Sequence, residues 1–330
     1  MRRRAFAGLK RFQAAPRPAE TEVRDIAAQI GRASLLTRKN ERRVTKTDKA
    51  PVILVPSLIN PPDVLDLTPR RSLLRHLLRA GHDVYMLDWG EPDKADAASD
   101  FADHIEALLL PLIQTLDRPP ILIGYCLGGT LAIGAAARLA AQETPAAALA
   151  TIATPWDFAQ YGADFRAQID KIWDESKATC EALGVVPMEV LQSGFWSLDP
   201  ERTIRKYADF GEMDADTLAY RGFITLEDWA NEGAPLTLAC GRDLVEGCYQ
   251  ANRTGTGAWT IGDTGVDPAA LACPTLAIAS TQDAIVPAAT TPPADQRLDL
   301  SLGHVGMMIG GRAEAALWEP FSAWITQSGG

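Results

Sequence analysis

The sequence predicts an α/β fold: a mostly parallel sheet covered by helices on both faces and interrupted by a helical insertion. Three observations carry that expectation. Short apolar runs alternate with helix-like segments from Val52 to Ala153. A glycine-flanked turn, Gly124-Tyr125-Cys126-Leu127-Gly128-Gly129, joins one such run to a small-residue helix. The alternation then stops between about Trp156 and Gly257, and strands resume at Pro274. With 330 residues, 47% of them hydrophobic and 22% charged, the chain suits one large domain or one domain with a sizeable insertion.

In chain order, residues 1–48 read as a basic arm, expected to be partly disordered. Residues 1–49 hold 14 Lys+Arg against 5 Asp+Glu, whereas the remainder holds 18 against 37. The basic start lacks a continuous hydrophobic segment and a cleavage pattern, so it does not read as a signal peptide. Val52-Ile53-Leu54-Val55 is a buried strand followed by the turn-rich Pro56-Ser57-Leu58-Ile59-Asn60-Pro61-Pro62. Ser72 to Leu78 is a helix, Asp83 to Leu87 a strand, and Asp100 to Leu116 a helix with an apolar face. Pro120 to Ile123 is the strand before the glycine turn, and Ala148 to Ala153 the strand after its helix. Residues 156–257 read as a helical cap: Tyr161 to Leu183 helical, Pro187 to Trp196 short and mixed, Arg202 to Phe210 amphipathic. Pro274 to Ala279 and Leu298 to Leu300 are the late strands, and Arg312 to Thr326 a closing helix. The core therefore comprises residues 49–155 and 258–330.

The glycine turn has the form of a nucleophile elbow, the strand–turn–helix of the α/β-hydrolase fold, with cysteine at the reactive position. A residue on so sharp a turn is held in strained geometry, and its neighbours must be small. The start of the following helix favours a thiolate and offers the Leu127 N–H to an oxyanion. A second N–H is expected from the loop after the Val52 strand, at Leu58 or Ile59. Asp283 lies just beyond a late strand and His304 in a glycine-flanked loop after the last one. Nucleophile, acid, histidine is the chain order this fold uses. Cys126, His304 and Asp283 are thus the expected nucleophile, its base and the group that orients the base. His76, His82 and His104 sit in helices or far before the elbow. Cys180, Cys240, Cys248 and Cys273 lack glycine-flanked turns and read as packing residues. No cysteine pair has C-x-x-C spacing, which argues against a zinc site or disulfide framework and for a reducing cytoplasm. The acidic body argues against nucleic-acid binding, and no apolar run approaches bilayer length.

The chain resembles the catalytic subunit of class III polyhydroxyalkanoate synthases from about Lys49 to Trp324. The resemblance rests on Val52 to Asn60, Val64-Leu65-Asp66-Leu67, Gly81 to Gly90 with its Asp88-Trp89-Gly90, and the cysteine elbow. It extends through Val186 to Leu191, Tyr249-Gln250-Ala251-Asn252, Gln282 to Pro287 and Gly303-His304-Val305-Gly306. It implies transfer of (R)-3-hydroxyacyl groups from coenzyme A thioesters onto a growing polyester through a thioester on Cys126. A thioester keeps the acyl group activated, where a serine ester would not. It implies no cofactor, coenzyme A being part of the substrate, and no metal. It further implies a homodimer, a separate synthase partner subunit, and residence in the cytoplasm at the surface of polyester granules. Pro61-Pro62-Asp63 departs from the bulky residues common in that family. The same three residues would also serve a thioesterase or esterase with water as acceptor, and a non-catalytic granule protein is a third reading.

Overall fold

Alternation along each strand sends side chains to opposite faces, and the core follows that rule. In the strand Val52–Val55, Ile53 and Val55 face one buried cluster while Val52 and Leu54 face the other. The computed structural model describes residues 1–17, 23–41, 48–198 and 200–329. Eight strands form the main sheet: β1 (Asp25–Ile30), β2 (Ala33–Thr37), β3 (Val52–Val55), β4 (Val84–Asp88), β5 (Ile121–Tyr125), β6 (Ala148–Ile152), β7 (Thr275–Ser280) and β8 (Gln296–Leu300). Their order is β1-β2-β4-β3-β5-β6-β7-β8, with β1 and β2 antiparallel and the other six parallel to one another. The helix Leu127–Ala141 covers one face together with the helical stretch 101–114. Leu73–Arg79 and the C-terminal Glu319–Ser328 cover the other.

The N-terminal segment corrects the expectation of an arm, although its residues 18–22 and 42–47 lie outside the described residues. The helix α1 (Arg2–Ala14) and the β1–β2 hairpin are integral parts of the fold. The hairpin is drawn onto the sheet because Ala33 to Thr37 are all buried, pairing Ser34, Leu35 and Leu36 with Asp88, Leu87 and Met86. It is tied down by one anion. Asp66, 2% exposed, accepts hydrogen bonds from Arg24 Nε (2.8 Å), Arg38 Nε (2.7 Å), Arg75 Nε (3.2 Å) and Ser72 Oγ (2.7 Å). Burial alone would raise the Asp66 pKa, but Arg24, with Ser72 and Arg38, holds it below the usual carboxylate value.

Between β6 and β7 the chain leaves the sheet. Ala163–Leu183, Met188–Leu198, Pro200–Phe210 and Leu218–Asn231 are helices, followed by a shorter helical run from Leu238 to Gln250. The stretch read as short and mixed is therefore a regular helix, Met188–Leu198. The two ends of this excursion are clasped together. Asn252 Nδ2 donates to Asp157 Oδ1 (2.8 Å), Asn252 Oδ1 accepts from the Phe158 N–H (2.8 Å), and Thr254 Oγ1 donates to the Trp156 carbonyl. α1 docks on this region rather than on the sheet. A Cβ on Gly8 would lie 1.7 Å from the Tyr207 carbonyl oxygen, so the two backbones touch. Arg11 Nη1 donates to the Phe210 (3.3 Å) and Gly211 (2.9 Å) carbonyls at the end of Pro200–Phe210, where a cation suits the helix dipole.

Candidate active site

Cys126 stands at the end of β5 with φ 55° and ψ −133°, and the helix Leu127–Ala141 begins at the next residue. A non-glycine residue in this region is strained, and here the surroundings over-determine it. The Cys126 N–H donates to Ile152 O (2.9 Å) and the Cys126 carbonyl accepts from the Gly129 N–H (2.9 Å). A Cβ on Gly124 would lie 2.2 Å from Gly129 Cα, and one on Gly128 would lie 2.3 Å from the Val55 and Pro56 carbonyl oxygens. The glycines are thus required by backbone contact with backbone.

The Asp283 loop and the His304 loop reach the same place from the ends of β7 and β8. His304 Nδ1 lies 2.6 Å from Asp283 Oδ2, while Asp283 Oδ1 accepts from the Ile285 (2.8 Å) and Val286 (3.0 Å) N–H groups. With both carboxylate oxygens committed, Nδ1 carries the proton and Nε2 is left for the thiol. Cys126 and His304 face one cavity together. Burial, the largest influence, opposes the charged ring, but Cys126 and Asp283 outweigh it and push the His304 pKa up to about 10. The arrangement can hold a thiolate beside an imidazolium and move one proton between them. Tyr125, whose ring lies 5.1 Å from that of His304, donates to the His304 carbonyl (3.4 Å).

The oxyanion expectations divide. Leu127 opens its helix, so its N–H has no carbonyl a turn earlier to bond. Ile59 lines both cavities at Cys126, and its N–H donates to Ser57 Oγ (3.2 Å) in the loop that also carries Leu58. Trp89 props the loop, its Nε1 donating to the Pro56 carbonyl (3.0 Å). This gives the Asp88-Trp89-Gly90 stretch a positioning part.

Two chambers meet at the sulfur. One, about 820 Å³ with its mouth, is apolar: Phe158, Phe165, Ile169, Trp173 and Leu244 surround it, with Tyr161 and Tyr249 at the Cys126 end. The other, about 1380 Å³ with its mouth, mixes Trp229 and Val64 with Gln192, Asn231, Lys206 and Glu227. Tyr161 and Tyr249 were missed by sequence reasoning. Burial raises both phenols, Tyr249 beyond the range in which it ionises in water, so they stay neutral beside Cys126. The only signal was the Tyr249-Gln250-Ala251-Asn252 stretch, which carries no motif chemistry of its own. Among the described residues no cluster of three or more His, Cys, Asp or Glu side chains could hold a metal ion.

Fold and elbow together make this an α/β-hydrolase-superfamily protein with cysteine in the nucleophile position. The α/β hydrolase fold family matches residues 50–173. Among solved structures, a lipase-titled protein from Sulfolobus solfataricus matches with TM-score 0.55 at 13% identity, over 93% of this chain and 99% of that one. Paleococcus ferrophilus monoacylglycerol lipase matches with TM-score 0.50 at 14% identity, over 84% and 96%. These likenesses bear on fold alone. The curated relatives are narrower. The poly(3-hydroxyalkanoate) polymerase subunit PhaC of Haloferax mediterranei is 28% identical, over 97% of this chain and 68% of that subunit. The namesake subunits of Haloarcula marismortui and Thiocystis violacea are 26% and 28% identical, over 85% and 84% of this chain. The chain spans 61% of the length of the Haloarcula subunit and 81% of the Thiocystis subunit. Within that fold the chain is similar, over most of its length, to polyhydroxyalkanoate polymerase subunits. Among the described residues no helix is long and apolar enough to cross a membrane.

Proposed function

We propose that this protein polymerises (R)-3-hydroxyacyl groups, taking each from a coenzyme A thioester and passing it through Cys126 to a growing polyester. The observation that carries the reading is a cysteine on the elbow, within reach of a His304–Asp283 pair, where an apolar and a polar chamber meet. His304 takes the Cys126 proton and the thiolate attacks the substrate carbonyl. The N–H groups of Leu127 and Leu58 stabilise the oxyanion. The carbon–sulfur bond to coenzyme A then breaks, and His304 returns the proton to the departing thiolate. In the second half, the hydroxyl of another hydroxyacyl group gives its proton to His304 and attacks the Cys126 thioester. An ester bond forms, and the cysteine leaves as thiolate and is reprotonated. The exchange of one thioester for another is nearly even in energy, so the acyl group stays activated until the hydroxyl arrives. The aromatic wall of the apolar chamber supports the exclusion of water that this step needs.

The same reading carries a homodimer, a separate synthase partner subunit and residence on polyester granules in the cytoplasm. Sedimentation and co-purification with granules test these. The test of the activity is incubation with 3-hydroxybutyryl-coenzyme A, with and without a candidate partner subunit, scoring free thiol and insoluble polyester. Thiol release accompanied by polyester is expected. Thiol release that yields only free 3-hydroxybutyrate would replace the synthase reading with a thioesterase.

A further inference from the structure

The basic N-terminal helix has no part in the chemistry above, yet it lies along the way to it. α1 and the helix Pro200–Phe210 enclose a groove reached by Arg2, Phe6, Arg17 and Tyr207. Trp196, Thr203, Lys206 and Asn231 line both this groove and the polar chamber at Cys126, so the two adjoin. The groove thus lies next to the chamber that holds Cys126.

We infer that this groove binds the 3′-phospho-ADP moiety of the acyl-coenzyme A, a site that rests on the substrate class proposed above. Charge supports that occupant over the polyester, which is neutral and has no use for cations. The anions lining the groove are Asp228 and Glu232, and Asp228 is already held by Arg17 (2.9 Å). Glu227, in the inner chamber, is engaged by Lys206 (2.7 Å) and the Tyr207 hydroxyl (3.0 Å). Among the described residues Arg2 has no carboxylate within ion-pair distance, and it stands beside Arg3 and Arg4 in a protein of net charge −10. Arg4 is paired with Glu212. Phosphate oxygens are the complement an unpaired guanidinium accepts best. Phe6 (67% exposed) and Trp196 (53% exposed) present flat apolar faces to solvent at the groove, suited to stacking an adenine ring. The pantetheine arm, uncharged and narrow, then runs through the shared Thr203 and Asn231 stretch toward Cys126. The helix is fixed in place for this task by the Gly8–Tyr207 backbone contact.

Two measurements test the site. Calorimetry of free coenzyme A with Cys126→Ala protein reads binding apart from catalysis. Adding Arg2→Glu is expected to weaken it about fivefold, an exposed ion pair's worth, and added salt to weaken wild-type binding. Steady-state kinetics of Arg2→Glu should show a similar rise in KM for the coenzyme A thioester at unchanged kcat, restored by Arg2→Lys. The N-acetylcysteamine thioester, which lacks the nucleotide, should show no change. Coenzyme A binding unaffected by Arg2→Glu, or an equal KM rise with the short thioester, overturns the inference. Failure of the substrate class shows differently: no thiol release from any hydroxyacyl-coenzyme A while the Arg2-dependent binding persists.

Discussion

The two sides of Cys126 are built from different materials. On the sheet side, backbone meets backbone: Gly128 lies against the Val55 and Pro56 carbonyls, Gly124 against Gly129, and the cysteine N–H is bonded to Ile152. On the cap side, side chain meets side chain. Phe158, Tyr161, Phe165 and Tyr249 form a nest of rings with centroids 4.9–5.8 Å apart. Backbone contacts admit no adjustment, because a single added methyl has nowhere to go. Ring contacts adapt by rotamer and by small shifts of helices. The sheet side thus fixes the position of Cys126, and the cap side shapes the space in front of it.

The largest expected effect comes from removing the reacting groups. Cys126→Ala or His304→Ala should lower thiol release from hydroxyacyl-coenzyme A by about 10³-fold or more, measured with a thiol reagent, with the melting temperature little changed. An activity that survives Cys126→Ala would end the assignment. Next, the sheet side should fail by folding: Gly128→Ala should destabilise the protein by about 3 kcal/mol, read by urea denaturation. On the cap side, Phe165→Ala should instead shift the relative rates with short and longer acyl chains while costing less stability. Equal losses of stability at the two sites would erase the contrast.

Acidity sharpens it further. The His304 pKa is raised in the folded state, so its stabilising charge is fully present below its unfolded value and is lost as pH rises through about 10. Thiol release is expected to fall across that same limb, and a profile flat to higher pH would contradict the imidazolium assignment. Asp66 behaves in the opposite sense. Its lowered pKa gives stability that is present above the ordinary carboxylate value and is lost as pH falls through the folded one. The smallest effect is expected at the clasp. Asn252→Ala removes two hydrogen bonds and places alanine at φ 49°. It should cost about 1–2 kcal/mol locally, seen as faster proteolysis between Trp156 and Gln250 with the sheet still protected.

Much of this was legible beforehand, and unevenly. The strands β3 to β7 announce themselves as apolar runs, and the cysteine elbow, acid and histidine follow in the chain order expected for this fold. The N-terminal hairpin did not announce itself, because its burial is conferred by a partner fifty residues on, Met86 to Asp88. In α1 the charges drowned a weaker signal, the spacing of Leu9 and Phe12 on one face with the small Gly8. Nor does spacing reveal that the Ile59 N–H, an expected oxyanion donor, is bonded to Ser57 Oγ. Which of two neighbouring amides is spoken for depends on a side-chain rotamer, and sequence spacing does not contain it.

Three arginines converge on the buried Asp66 from positions 24, 38 and 75. Replace the aspartate, and three guanidinium groups lose their common counter-ion; replace one arginine, and the other two still require it. Breaking such a buried arrangement from one side costs about 3–5 kcal/mol, comparable with a domain's whole margin of stability. Tolerance to substitution is therefore asymmetric here: losing one arginine leaves Asp66 two partners, whereas losing Asp66 strips all three arginines of the carboxylate they share and leaves Arg24 with Asp63 and Arg75 with Glu41.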